Sequence, residues 1–306
     1  MARVHYLHLD VFAASPGGGN HLGVVFDAER WSSAAMQRFA RWNSLVETTF
    51  VLPPTEPEAS YRVRIFTPRQ EIPFASHPSI GSAHALLEAG EVQPREGLLW
   101  QQCGAGILPM RVEGDGASRC LLLRPPPEQI VSTGLAAHPL LAAALHGIGL
   151  GQLPPVLVEG GRKWWLAEVS DEAALRAWHP QHGAIGALAS ATDSMGLCVF
   201  ARRATSAPGL VVRAFPAGVG IVEDPASGAA NGLIAAYLAQ AEPTGPYARG
   251  YAVSQGRELG HDAELVVHID NGEVWVGGRT HTVVSGTLDW DEETSITPVA
   301  PGESQG

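Results

Sequence analysis

The sequence predicts an α+β chain of two pseudo-symmetric halves, each a curled, mostly antiparallel sheet around a central helix. Two observations lead there. First, the chain repeats itself: Val63 to Leu87 and Val212 to Leu238 each open with Val-Arg-x-Phe (Val63, Arg64, Phe66; Val212, Arg213, Phe215). Each then runs through a loop to a polar residue and a proline, His77-Pro78 and Asp224-Pro225, followed by small residues and an Ala-rich apolar segment. Such repetition marks two related folding units. Second, short strand patterns dominate elsewhere, with one long helix pattern per half.

Composition sets the outer limits. The 306 residues are 45% hydrophobic and 17% charged, with formal charge −11. A sizeable core can form, and no basic cluster invites nucleic acid or an anionic membrane. Cys103, Cys120 and Cys198 lie far apart, without metal-ligand spacing, and their odd number argues against a disulfide framework. The opening segment alternates as a strand and lacks the apolar centre of a signal peptide, so a cytoplasmic location is expected.

The elements follow in order. A strand is expected near Val4–Phe12, a turn at Ser15–Asn20 and a strand at Leu22–Phe26. The glycine run Gly17–Gly19 lacks a Walker lysine and leads into a strand, which favours a tight turn over a phosphate loop. His5 and His8 are expected on opposite faces of the first strand, not as a metal pair. Ser32 caps a helix carried by Met36, Phe39 and Ala40 and ending near Asn43. Ser44–Leu52 reads as one strand with Glu47 near its start. Beyond the first repeat, Gly97–Val112 and Ser118–Leu123 read as a pair turning at Glu113–Gly116, and Arg124–Pro127 as a stiff boundary.

The second half reads as a helix at His138–Leu145, a hairpin of Pro155–Glu159 with Arg162–Val169, helices at Asp171–Trp178 and Gly183–Ala189, and a strand at Gly196–Ala201. Gly147–Gly151 follows a helix rather than a strand, which excludes a dinucleotide fingerprint. Of the adjacent Trp164 and Trp165, one is expected inward and the other at a cleft or partner. A hairpin around Asn271-Gly272 and a closing strand at Thr280–Leu288 complete the chain. The halves are expected as lobes 1–127 with a closing strand at about 280–290, and 128–279. An acidic disordered tail is expected at 291–306.

The repeat points to a ligand. A polar residue before proline is a favourable helix start, with the side chain as cap and proline in the first helical position. The following amides are unpaired and dipole-positive, and Ser79, Gly81, Ser227, Gly228 and Ala229 would let an anion approach them. Glu47, at the head of an apolar strand, is either a solvated strand end or a buried base. Burial would raise its pKa and suit it to moving protons near neutrality. For His77 the alternative is a purely structural cap. Arg64 and Arg213, at matching repeat positions, are expected in symmetric ion pairs.

The wording of these segments resembles the phenazine-biosynthesis PhzF-like family. It is carried by Asp10-Val11-Phe12, Gly19-Asn20, Glu47–Val51, Arg64–Pro68, Pro73–Pro78, Gly220–Gly228 and Gln255-Gly256, from about residue 5 to 288. The resemblance implies the diaminopimelate-epimerase-like architecture, with the active site between two lobes, and a homodimer. It implies an isomerase without metal or other cofactor, similar to trans-2,3-dihydro-3-hydroxyanthranilate isomerase, acting on a small carboxylate. Glu47 would shuttle a proton, His77 and Asp224 would orient the substrate, and the amides of Gly228 and Ala229 would receive its carboxylate. Asn20, Ser79, Gly81 and Ser227 are further candidates to line the site.

Three departures bear on substrate. Val46 stands where a serine is common before the glutamate, Ser76 where glycine precedes the histidine, and Ala229 where a serine is frequent. Neither helix start carries a cysteine, which disfavours two-thiol racemisation. Alternatives are a lyase or hydrolase using the same glutamate, and a non-catalytic homologue that binds a small acid.

Overall fold

The computed structural model describes residues 2–204 and 207–290; the expected acidic tail lies outside them. Among the described residues seventeen strands form one continuous sheet, and its two halves repeat the same succession of pairings. In the first half, Thr280–Trp290 and Ala2–Val11 pair antiparallel, and Ala2–Val11 pairs antiparallel with Asn20–Val25. Asn20–Val25 runs parallel to Glu47–Leu52, which is antiparallel to Tyr61–Phe66. Tyr61–Phe66 is parallel to Leu98–Cys103, and two antiparallel steps lead through Gly106–Glu113 to Cys120–Leu123.

The second half follows suit. Gln129–Thr133, Val156–Gly160 and Arg162–Glu168 are successively antiparallel, and Arg162–Glu168 is parallel to Leu197–Arg202. An antiparallel step reaches Gly209–Phe215 and a parallel one Gly250–Gln255. Two antiparallel steps end at Glu273–Gly278. The two final strands, Cys120–Leu123 and Glu273–Gly278, then pair antiparallel with each other. Equivalent strands meeting in this way place an approximate twofold axis at the seam.

Each half curls around one helix of equal length, Ser76–Ala89 and Gly228–Ala241. Both are apolar or small on all sides, as befits helices enclosed on every face. Ser76 through Leu86 are all buried, and the second helix is buried over nearly its whole length. Among the described residues no helix is long and apolar enough to cross a membrane.

Several local expectations are corrected. The run Gly97–Val112 is itself a hairpin, Leu98–Cys103 with Gly106–Glu113, turning at Gly104-Ala105; Cys120–Leu123 joins as a third strand. The helix expected at His138–Leu145 is a single turn, Leu141–Ala144. Strands Gln129–Thr133 and Gly250–Gln255 lack a clear apolar alternation and were not foreseen. Trp164 and Trp165 are both buried. Alternate strand residues point to opposite faces, and both faces of this half-sheet are covered. Trp164 packs in the core beside the central helix, and Trp165 packs with Leu175, Ile185 and Leu188 of the outer helices.

The repeat arginines form the expected symmetric pairs. Arg64 Nε donates to Glu71 Oε1 at 2.8 Å, and Arg213 Nε to Glu223 Oε1 at 2.8 Å. Each guanidinium also lies 5.1 Å from the ring centre of the phenylalanine that follows, Phe66 or Phe215. Both pairs pin the loop that leads to a central helix. His5 and His8 part as expected: His5 reaches Ser285, and His8 reaches His21 on the neighbouring strand.

Candidate active site

The two central helices begin against each other. A Cβ placed on Gly228 would stand 2.7 Å from Ser76 Cβ and 3.3 Å from Ser76 Oγ. The helix starts are not capped as the proline motifs suggest. The first has Ala75 at its N-cap with no side-chain cap, so His77 and Pro78 are already helical. The second is capped by Ser227, whose Oγ accepts from the Ala230 amide, leaving Asp224 and Pro225 in the preceding loop. His77 and Asp224 are thereby free for other work. The first-turn amides of Ser76, His77, Gly228 and Ala229 have no protein acceptor among the described residues.

Glu47 opens its strand directly after a helix that stops at Ser44, a residue in the left-handed region with φ 56°. That stop shortens the expected strand Ser44–Leu52 to Glu47–Leu52. The Glu47 side chain is 12% exposed, and its Oε2 has no hydrogen-bond partner among the described residues. Burial, aided by the charge of Asp224, pushes its pKa up to about 8.

His77 Nε2 stands 3.5 Å from that oxygen and 3.2 Å from the carbonyl of His21. A carbonyl only accepts, so Nε2 carries the proton and donates to it. Burial brings His77 down to about 4, against the pull of that carbonyl. At neutral pH the histidine is neutral, and the contact with Glu47 is not an ion pair.

Asp224 comes from the other half of the sheet. Asn20 Nδ2 donates to its Oδ1 at 3.0 Å and to the Ala226 carbonyl at 2.9 Å. The Ala226 amide donates to the same carboxyl at 3.2 Å. Asp224 retains some accessible surface, yet the surrounding protein pushes it up to about 7, against the pull of the Ala226 amide and of the Ser227 and Asn20 side chains and with help from the Glu223 charge. Two carboxyl groups raised towards neutrality or above it stand here beside a buried imidazole, an arrangement capable of acid–base chemistry.

The remaining candidates divide. Asn20 joins the cluster through its hydrogen bond to Asp224. Val46 is half-buried next to Glu47, and Ser76, Gly228 and Ala229 stand at the facing helix starts. Ser79 is turned into the core: its Oγ donates to Ala75 O and accepts from Gln101 Nε2, both at 2.8 Å. Gly81 is a packing glycine, where a Cβ would meet Leu22 Cδ2 at 2.4 Å. Ser227 has its hydroxyl in the cap and its amide on Gln255 Oε1 at 3.3 Å.

Gln255 received no role from sequence. It joins the second helix start to the site: Oε1 also accepts from Asn231 Nδ2 at 2.9 Å, and Nε2 donates to the Asp224 carbonyl at 2.8 Å. Its sequence signal is the Gln255-Gly256 pair named above, whose glycine takes a left-handed φ of 90° at the strand end. Burial raises the pKa of each of the three cysteines, Cys120 to about 11, and none of them lies in a central helix.

Comparison with known proteins bears on this geometry. Residues 9–286 match the family described as phenazine biosynthesis-like protein. Trans-2,3-dihydro-3-hydroxyanthranilate isomerase of Pseudomonas aeruginosa is 32% identical over 273 residues, covering 85% of this chain and 88% of that protein. Antisense-enhancing sequence 1 of Schizosaccharomyces pombe is 32% identical over 296 residues, 94% of this chain and 99% of that protein. The crystal structure of the Bacillus anthracis phenazine biosynthesis protein of the PhzF family superposes with TM-score 0.79 at 25% identity, covering 94% of this chain and 99% of that one. With that match across nearly its whole length, the chain belongs to the phenazine biosynthesis-like, or PhzF, family and is an isomerase.

Proposed function

We propose that this isomerase moves a proton between two carbons of a small, unsaturated amino or hydroxy carboxylate, with Glu47 as the shuttle. The observation that carries the reading is the unpartnered Oε2 of a buried Glu47, raised to about 8, beside His77 and facing Asp224. In its ionised form Glu47 takes a proton from an activated carbon, and the electron pair left behind shifts the double bond. The resulting carboxylic acid returns the proton to the far end of the shifted bond. His77 and Asp224 hold the substrate's amine or hydroxyl. The free amides of Gly228 and Ala229 receive its carboxylate and stabilise the charge that develops there. No step draws on a metal or other cofactor. Trans-2,3-dihydro-3-hydroxyanthranilate, the substrate in the name of the Pseudomonas aeruginosa relative, is the first compound to try.

The same reading includes a cytoplasmic homodimer serving specialised metabolism such as antibiotic biosynthesis. It takes the lobes as 1–127 with about 280–290, and 128–279. Incubating the protein in D2O with this substrate and a panel of cyclic unsaturated carboxylates tests it by NMR. An intact, rearranged product supports isomerisation, and partial rather than complete carbon-bound deuterium at the new position supports a shielded shuttle. Fragments would point to elimination or hydrolysis instead, and no conversion of any acid would leave only a binding protein.

A further inference from the structure

The end of the sheet that carries Glu47 also carries a hairpin tip that reaches the opposite lobe. Thr48 pairs with Phe66, which sets Glu47 beside Thr67. Thr67 begins the tip between Tyr61–Phe66 and the short strand Glu71–Ile72. Thr67 also holds the tip in shape: its Oγ1 accepts from the amides of Arg69 and Gln70 at 3.2 and 3.0 Å.

Arg69 projects from this tip and lies on Gly220 of the other half. A Cβ on Gly220 would stand 3.4 Å from Arg69 Nη2 and 3.7 Å from Nη1. Gly220 has a left-handed φ of 80° and opens the loop that runs to Asp224. The guanidinium therefore joins the turn beside Glu47 to the loop that leads to Asp224. The repeat arginines nearby are occupied, Arg64 by Glu71 and Arg213 by Glu223. Arg69 is exposed and forms no ion pair among the described residues.

An unpaired guanidinium at the mouth of a cleft, in a chain of formal charge −11, is a local attraction for anions. Its planar fork also matches a carboxylate. We propose that Arg69 recruits the substrate's carboxylate at the cleft mouth, before the amides of the helix starts take it over. This rests on the carboxylate reading given above, and it makes Arg69 a specificity-determining residue that selects anionic over neutral ligands.

The test compares the full-length protein with Arg69→Gln and, as a control, with Arg162→Gln at the remote Gly160-Gly161 turn. Anthranilate, 1-cyclohexenecarboxylate and crotonate are titrated beside their uncharged amides, at low and high salt. Arg69→Gln is expected to weaken carboxylate binding about tenfold, to leave amide binding unchanged and to flatten the salt dependence. Arg162→Gln is expected to behave as wild type. If wild type prefers acid to amide and Arg69→Gln keeps that preference and its salt dependence, Arg69 has no such role. A wild-type protein that binds no acid better than its amide would sink the carboxylate reading itself, and the role of Arg69 with it.

Discussion

Ser76 and Gly228 touch where the two central helices begin, so closely that position 228 has room for no side chain. The contact brings two sets of unpaired amides together. Phe12, buried with a left-handed φ of 63°, wedges into the same seam, 3.2 Å from where a Gly228 Cβ would be.

Gly228→Ala therefore forces the helix starts apart. It is expected to cost about 1–3 kcal/mol of stability, the range for overpacking a tight contact, and to lower activity. Ser76→Gly on the same chain removes the obstructing Cβ and should recover much of the loss. Urea unfolding of the two single variants and the double variant measures the coupling. A Gly228→Ala protein as stable as wild type would show that the helix starts do not press on each other.

The raised Glu47 predicts the pH profile of catalysis. Below about pH 8 the carboxyl is mainly protonated and cannot accept a proton from carbon. The value of kcat/KM is expected to climb about tenfold per pH unit towards a plateau above pH 8. A profile flat between pH 6 and 9, or rising through the ordinary carboxylate range, would remove Glu47 as the base.

The same burial has a cost in stability. Glu47 holds its proton up to about pH 8 in the folded chain but only to its ordinary value of 4.5 when unfolded. Between those values the folded state binds more protons, so its stability falls as pH rises through the window. His77, lowered to about 4, works the other way: its neutral burial disfavours folding as pH drops from 6.5 towards 4. Glu47→Gln removes the first effect alone. Its stability relative to wild type should improve by on the order of a few kcal/mol between pH 5 and pH 8.5. Denaturant unfolding at both pH values checks this, and an equal difference at the two would place Glu47 in solvent.

Much of this architecture can be read from the chain because its signals are local and doubled. The paired Val-Arg-x-Phe segments, each with an arginine answered by a carboxylate in its own loop, mark two like units. Strand Glu47–Leu52 announces itself by β-branched and apolar residues. The misread parts depend on what lies across space. His77-Pro78 and Asp224-Pro225 look alike in sequence, yet one is inside its helix and the other ahead of it, because Ser227 takes over the cap. Whether Ser79 and Gly81 face ligand or core depends on where the first turn begins, and a shift of one or two residues rotates them inward. Gln255 owes its position to a helix start some 25 residues earlier in its own half, and Arg69 lies on Gly220 of the opposite half, relations that no local pattern records.

The transfer of a label within the substrate tests the Glu47 shuttle most directly. A substrate deuterated at the carbon that loses its proton is turned over in ordinary water by wild type and by Glu47→Gln. Delivery by one shielded carboxyl predicts a substantial share of the deuterium at the second carbon of the product, with both transfer and turnover abolished in Glu47→Gln. Undiminished turnover by Glu47→Gln would contradict the account.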